Sequence, residues 1–370
     1  MKELLKKLIE AESTESAGEL AAAQVISAEF ARCGIKSEID VWDKTRANIT
    51  AHIKSSGEKP ALLFACHLDV VGPGQTGWKT PPFAALEKDG KIFGRGSTDM
   101  KGGMSSCVAA ICDIVKSGTE LQGDIVFTAL AGEETDSCGA ERFMASRSWI
   151  PECLGVILPE PTDFSIVSAH RGMLWLEVST EGKAAHGSTP ELGVNAIDSM
   201  RRFLNELDTY DIKSKKHELL GTCSMSVNTI SGGKTLNVVP DKCVCTIEIR
   251  TIPGVHHEGI IADFRKVFDN LRSQNPEFEA DVSLIRQVHA LETDTNSEFV
   301  RDICSSLGIE KTMAVGFTTD GPQFVPLGVP VLVFGPGKPE ICHKPDEFIE
   351  IADLEKAVED YKKIIMHLLS

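Results

Sequence analysis

Short apolar runs alternate with amphipathic stretches over the first part of the chain. The apolar runs are EIDVW, NITAHI, ALLFACHLDVV, DIVFTALA and GVILPE. Residues from about Ser16 to Cys33 favour a helix that ends at Gly34. A second helix is predicted by apolar residues that repeat at helical spacing, namely Met104, Cys107, Val108, Ile111, Cys112 and Val115. Strands that alternate with helices predict an α/β layer with buried, largely parallel strands.

The middle of the chain has a different pattern. Its segments are, in order, MLWLEVST, GVNAIDSMRRFLNEL, TCSMSVNTI, KCVCTIEIRT, GIIADFRKVFDNLRS and FEADVSLI. They read as strand, helix, strand, strand, helix and strand, which is the ferredoxin-like βαββαβ order. The α/β pattern then resumes with a helix, a strand and a final amphipathic helix. We therefore expect a catalytic domain of residues 1–172 and 286–370, with a mixed, largely parallel sheet flanked by helices. Residues 173–285 would form an inserted domain.

Composition narrows the class of protein. The 370 residues are 42% hydrophobic and 25% charged, as in ordinary globular proteins. A net charge of −16 argues against a nucleic-acid partner. The chain lacks a run of about 18 apolar residues, and the N-terminus MKELLKKLIEAEST lacks the apolar core of a signal peptide. We expect a cytoplasmic protein without a membrane partner, whose scattered cysteines are reduced.

Histidine and carboxylate residues stand where the predicted strands end. They are His67, Asp69, Asp99, Glu133, Glu134, Glu160 and His343. The spacing of two between His67 and Asp69 directs both to one side of a strand. A lone loop residue of these types is more often a cap or a solvated side chain, but the repetition after successive strands is hard to explain that way. Ligands of α/β sheets bind beyond the carboxyl ends of strands, and this residue set suits zinc or a harder divalent metal.

The motifs in this order resemble one enzyme superfamily. They are HLDVV, GRGSTDMKGG, the Glu133–Glu134 pair, EPT, AHGSTPELGVNAI and NVVPD…IEIRTIPG. The superfamily is that of acetylornithine deacetylase, succinyl-diaminopimelate desuccinylase, aminoacylase and glutamate carboxypeptidase. The resemblance implies two divalent metal ions, zinc or alternatively cobalt or manganese, that share Asp99. His67 and Glu160 would complete one metal site, and Glu134 and His343 the other.

The resemblance also implies roles for residues outside this ligand set. Glu133 would be the general base, and Asp69 would orient the ring of His67. In the inserted domain, His186 would stabilise the oxyanion in the active site of a partner subunit, so a homodimer is expected. Arg250 would bind a substrate carboxylate, and Asn237 would contact the substrate. Without the motif, His186 reads as solvated and Arg250 as paired on the surface.

The predicted activity is hydrolysis of the amide bond in a small N-acyl amino acid, as in amino-acid biosynthesis. A dipeptidase or carboxypeptidase is the alternative, because the same metals and base serve both reactions. A non-catalytic homologue that binds a ligand is a more remote alternative, since such a protein would be expected to lack part of the ligand set. A structural zinc site is disfavoured because such sites use closed sets of cysteine and histidine.

Overall fold

The computed structural model describes residues 1–370 and groups them into two units. The first unit consists of Met1–Ser168, Glu292–Ala314 and Thr319–Ser370, and the second of Ala169–Leu291 and Val315–Thr318. Each unit has its own sheet and its own hydrophobic core. No helix combines the length and the apolar character needed to cross a membrane.

Nine helices and sixteen strands make up the chain. The helices are α1 (Lys2–Glu10), α2 (Leu20–Arg32), α3 (Lys101–Ser117), α4 (Cys138–Ala145), α5 (Ala196–Leu207), α6 (His257–Gln274), α7 (Glu298–Leu307), α8 (Gly321–Phe324) and α9 (Ile351–Leu369). The first eight strands are β1 (Ser37–Trp42), β2 (Arg46–Ile53), β3 (Lys59–His67), β4 (Leu86–Lys88), β5 (Lys91–Phe93), β6 (Gly123–Leu130), β7 (Cys153–Leu158) and β8 (Val167–His170). The other eight are β9 (Gly172–Glu181), β10 (Ser224–Gly232), β11 (Lys242–Thr251), β12 (Glu279–Val288), β13 (Leu291–Glu292), β14 (Met313–Val315), β15 (Val331–Val333) and β16 (Phe348–Glu350).

The large sheet has the order β1-β2-β6-β3-β7-β15-β8-β13, with β14 paired to β8. Its centre is parallel, because β3 pairs in parallel with β6 and β7, and β7 with β15. The pairs β1–β2 and β2–β6 are antiparallel. The apolar stripe of α3 is buried against this sheet and α9, with Met104, Cys107 and Val108 fully buried. The mixed, largely parallel sheet flanked by helices is thus confirmed.

The second unit contains an antiparallel sheet with the order β10-β11-β9-β12. Helices α5 and α6 pack on it, and their Phe203, Phe264 and Phe268 form an aromatic group in its core. Each helix connects two strands that have another strand between them, which is the ferredoxin-like arrangement. The predicted βαββαβ order is confirmed.

Some elements differ from the sequence-based expectation. The helix expected from Ser16 begins only at Leu20, after a turn in which Gly18 has φ +77°. This left-handed conformation is incompatible with a helix interior. A separate sheet with the order β16-β5-β4 was not predicted. Its strands have three residues each, too few to show an alternating pattern.

Candidate metal centre

The parallel centre of the large sheet brings the predicted site residues to one edge. His67 is the last residue of β3, and the adjacent strands β6 and β7 end just before Glu133–Glu134 and Glu160. The carboxyl ends of adjacent parallel strands lie side by side, so these side chains converge. His67 and Glu160 are buried, with 2% and 5% of their surface exposed.

Asp99 lies between the two histidines of the candidate site. Its Oδ1 is 3.1 Å from His67 Nε2, and its Oδ2 is 3.2 Å from His343 Nε2. His343 Nε2 is also 2.9 Å from Glu134 Oε1, and His67 Nε2 is 3.7 Å from Glu160 Oε1. The structure therefore brings all five residues of the predicted ligand set into one cluster.

The donor set of this cluster fits divalent metal ions. Ligand atoms of His67, Asp99 and Glu134 all lie within 4.8 Å of one another. Imidazole nitrogens and carboxylate oxygens are ordinary ligands of zinc and of neighbouring transition metals. Buried carboxylates that are grouped together repel one another unless a cation or protons neutralise them, so the cluster favours a bound cation.

The electrostatics of the cluster show this crowding. Burial raises the pKa of Glu160, and the nearby Asp99 carboxylate adds to the effect. Burial also raises the pKa of Glu133, together with the charge of Glu134. Contacts with Asp99 and Glu134 raise the pKa of His343 to about 10. Protons and metal ions therefore compete for the same side chains.

Asp69 has a contact that the sequence did not predict. Its Oδ1 accepts hydrogen bonds from the backbone N–H groups of Gly132 at 2.9 Å and Glu133 at 3.2 Å, and its Oδ2 accepts one from Glu134 at 3.0 Å. The His67 ring lies closer to the backbone carbonyl of Asp69, at 3.0 Å, than to the carboxylate, at 3.6 Å. Asp69 thus anchors the loop that carries both glutamates.

The other predicted residues lie in the second unit. His186 is exposed, and its Nδ1 lies within hydrogen-bond distance of Ser188 Oγ, at 2.7 Å. The next residue, Gly187, donates its N–H to the carbonyl of Asn237 at 2.8 Å, so the loops of His186 and Asn237 are adjacent. Arg250 on β11 pairs with Glu248 at 2.7 Å.

Sequence reasoning missed three buried charged residues near the cluster. Arg95 and Glu347 form an ion pair, and Asp320 lines a small cavity together with His67, Glu133 and Glu160. Arg95 lies in GRGSTD and Glu347 four residues after His343. The available signal was therefore a charged residue within a motif for Arg95, and the proximity to His343 in the sequence for Glu347.

Comparison with known proteins identifies the family of the chain. The model of peptidase family M20/M25/M40 matches residues 63–367. A probable succinyl-diaminopimelate desuccinylase of Staphylococcus aureus (strain MRSA252) is 30% identical, over 99% of this chain and 97% of the relative. The acetylornithine deacetylase of Proteus mirabilis is 30% identical, over 88% of this chain and 84% of its own length.

A similar fold is found in a solved structure, that of the aminopeptidase PepT from Bacillus cereus. It has a TM-score of 0.80 at 21% identity, covering 100% of this chain and 99% of that one. The family match and the two relatives confirm the superfamily resemblance seen in the sequence, and with it the hydrolytic class of enzyme. On the family match and the relatives together, the chain belongs to peptidase family M20/M25/M40 of metal-dependent hydrolases.

Proposed function

We propose that this enzyme hydrolyses the amide bond of a small N-acyl amino acid, as an acetylornithine deacetylase or a succinyl-diaminopimelate desuccinylase does. One observation carries the proposal: the two carboxylate oxygens of Asp99 contact different histidines, at 3.1 and 3.2 Å. A carboxylate in this position can bridge two cations, each with one histidine. The two curated relatives described above support the acyl amino acid as substrate.

The cluster would hold two divalent metal ions, with zinc as first choice and cobalt or manganese as alternatives. His67, Glu160 and Asp99 would bind one ion, and His343, Glu134 and Asp99 the other. When bound, two metal ions of this kind activate water for attack and stabilise negative charge on oxygen. Asp69 supports this arrangement by holding the backbone of the glutamate loop through three hydrogen bonds.

The remaining chemistry falls to residues beside the ligands. Glu133 would take the proton of the attacking water and pass it to the leaving amine. His186 and Asn237, in adjacent loops, would contact the developing oxyanion and the substrate. Arg250 would bind a substrate carboxylate, which must compete with Glu248 for the guanidinium group.

The assembly and location of the enzyme are part of the same proposal. Residues 173–285 would form the inserted domain and mediate a homodimer. Exposed apolar side chains on the edge strand β10, Val227 and Ile230, support a partner at this edge. The eleven cysteines are all free, which fits the reducing cytoplasm.

A substrate panel tests the proposal. The protein is stripped with a chelator, loaded with zinc, cobalt or manganese, and assayed against N-acetyl amino acids, N-succinyl amino acids, dipeptides and tripeptides. We expect the highest kcat/KM with an N-acyl amino acid and dependence on added metal. The Glu133→Gln variant, purified identically, controls for contaminating hydrolases.

A peptidase is the second candidate, because the solved structure with a similar fold described above is that of an aminopeptidase. A kcat/KM for dipeptides or tripeptides at least tenfold above that for every acyl amino acid would replace the first candidate with this one. Absence of hydrolysis of any linear amide by the protein carrying two metals would refute both.

A further inference from the structure

The carboxylate of Glu347 lies behind Asp99 and is completely buried. Its Oε1 accepts hydrogen bonds from the backbone N–H groups of Thr98 at 2.9 Å and Asp99 at 3.2 Å. Its Oε2 is 2.5 Å from Nη1 of Arg95, which is 2% exposed. A single carboxylate thus binds two consecutive backbone N–H groups, those of Thr98 and Asp99, and the side chain of Arg95.

Further hydrogen bonds tie the Asp99 turn to the segment that carries His343. Gly94 donates its N–H to the carbonyl of Glu347 at 2.9 Å, and Thr98 Oγ1 donates to the carbonyl of Phe348 at 2.5 Å. Glu347 follows His343 by four residues. The two loops that deliver Asp99 and His343 are therefore joined directly, with Glu347 at the junction.

We propose that Glu347 is a positioning residue that sets the backbone of Asp99 relative to His343, and so the geometry of both candidate metal sites. The inference rests on the proposed function, because it assigns Asp99 and His343 as metal ligands. Arg95 neutralises the buried carboxylate, and Glu347 itself supplies the hydrogen-bond acceptor that holds the Asp99 turn.

The chemistry of a buried ion pair supports a positioning role. A buried pair seldom adds net stability over apolar residues of similar size, because desolvation offsets the attraction. What the pair provides here is a fixed acceptor for two buried N–H groups, which would otherwise remain unsatisfied. Removing a group that contacts and orients a metal ligand typically weakens metal affinity about 10- to 100-fold.

Two double variants separate the acceptor from the charge. Arg95→Met/Glu347→Gln removes both charges but keeps a side-chain oxygen that can accept from Thr98 and Asp99. Arg95→Met/Glu347→Leu removes the charges and the acceptor. Glu350→Gln is the matched control, because Glu350 lies on the same segment in an exposed pair with Lys91 at 3.2 Å.

Metal affinity is measured by competition between each purified protein and a chromophoric chelator for zinc and for cobalt. The absorption spectrum of bound cobalt reports the coordination geometry independently of activity. We expect Arg95→Met/Glu347→Gln and the control to bind within about threefold of the wild type. Arg95→Met/Glu347→Leu is expected to bind both metals at least tenfold more weakly, with an altered cobalt spectrum.

Equal affinity and identical cobalt spectra in the two double variants would overturn the proposal. If the leucine variant does not fold, as judged by circular dichroism, Glu347→Asp replaces it. Its carboxylate is one methylene shorter, and unchanged metal affinity in that variant would equally refute the positioning role. A wild-type protein that binds neither metal would instead refute the proposed function.

Discussion

Adjacent glutamates serve different purposes in the proposed site, and substitution can tell them apart. Glu134 Oε1 lies 2.9 Å from His343 Nε2, within the ligand cluster, whereas Glu133 lines a small buried space together with His67 and Glu160. We expect Glu133→Gln to retain two metals per chain and lose about 10²- to 10⁴-fold in kcat, since it removes the proton acceptor. Glu134→Gln should chiefly weaken metal binding.

The measurements are metal content by mass spectrometry and kcat on the best substrate of the panel. A Glu133→Gln turnover within tenfold of the wild type would remove this residue from the role of base. Loss of metal in this variant, rather than in Glu134→Gln, would exchange the two assignments.

Buried His170 makes a prediction about pH and stability. Burial lowers its pKa to about 4, and its Nδ1 lies 2.8 Å from the carbonyl of Arg171. Between pH 6.5 and about pH 4 the unfolded chain binds a proton here that the folded chain does not. This residue should therefore reduce the free energy of unfolding as the pH falls through that range, by at most about 1.4 kcal/mol per pH unit.

The test compares urea unfolding of the metal-free wild type and His170→Asn at several values between pH 7 and pH 4.5. Asparagine stays neutral and keeps a donor for the carbonyl of Arg171. We expect the difference in stability between the two proteins to change as the pH falls. Curves that run parallel over the whole pH range would contradict a titration of His170.

At the scale of elements, helix α3 packs very closely against the loop that carries Glu160. A Cβ added at Gly103, the third residue of α3, would lie 1.9 Å from the carbonyl oxygen of Pro159. Gly103→Ala must therefore shift the helix or the loop. We expect a loss of about 1–3 kcal/mol in the free energy of unfolding, with weaker metal binding because Glu160 moves with Pro159.

Gly259 provides the matched control, since it is the third residue of α6 and a Cβ there would meet nothing within 4 Å. Gly259→Ala should leave metal binding unchanged and gain up to about 1 kcal/mol from helix propensity. Chemical unfolding and chelator competition measure both quantities. Equal stability and metal affinity in the two alanine variants would mean that the close contact at Gly103 has no consequence.

At the scale of the whole molecule, the homodimer proposal predicts complementation between subunits. His186→Ala and Glu133→Gln chains should each be nearly inactive, because loss of an oxyanion donor typically costs on the order of a hundred- to a thousandfold. In a mixed dimer, the intact Glu133 of one chain meets the intact His186 of the other. One of its two sites is then complete.

The experiment mixes the two variants under conditions of proven subunit exchange and measures the recovered activity. Recovery towards a quarter of the wild-type value is expected for random exchange of equal amounts, in which half of the dimers are mixed and have one complete site. No recovery, or a wild-type protein that is monomeric by light scattering, would exclude action of His186 across a subunit interface.

The sequence by itself determined features that depend on neighbours along the chain. The apolar spacing from Met104 to Val115 predicted α3, and the order of elements in the middle of the chain predicted the antiparallel sheet. Histidine and carboxylate residues after strands pointed to the cluster around Asp99. These signals are local, because side-chain periodicity within one element decides which face is buried.

Only the tertiary structure decided which groups complete those local signals. The ion pair of Arg95 with Glu347 joins residues 252 positions apart, and the hydrogen bonds of Asp69 reach a loop 63 to 65 positions away. In the β16-β5-β4 sheet, β16 likewise pairs with the distant strand β5. Such contacts depend on how the chain closes on itself, and neither hydrophobic periodicity nor the type of a single residue encodes that closure.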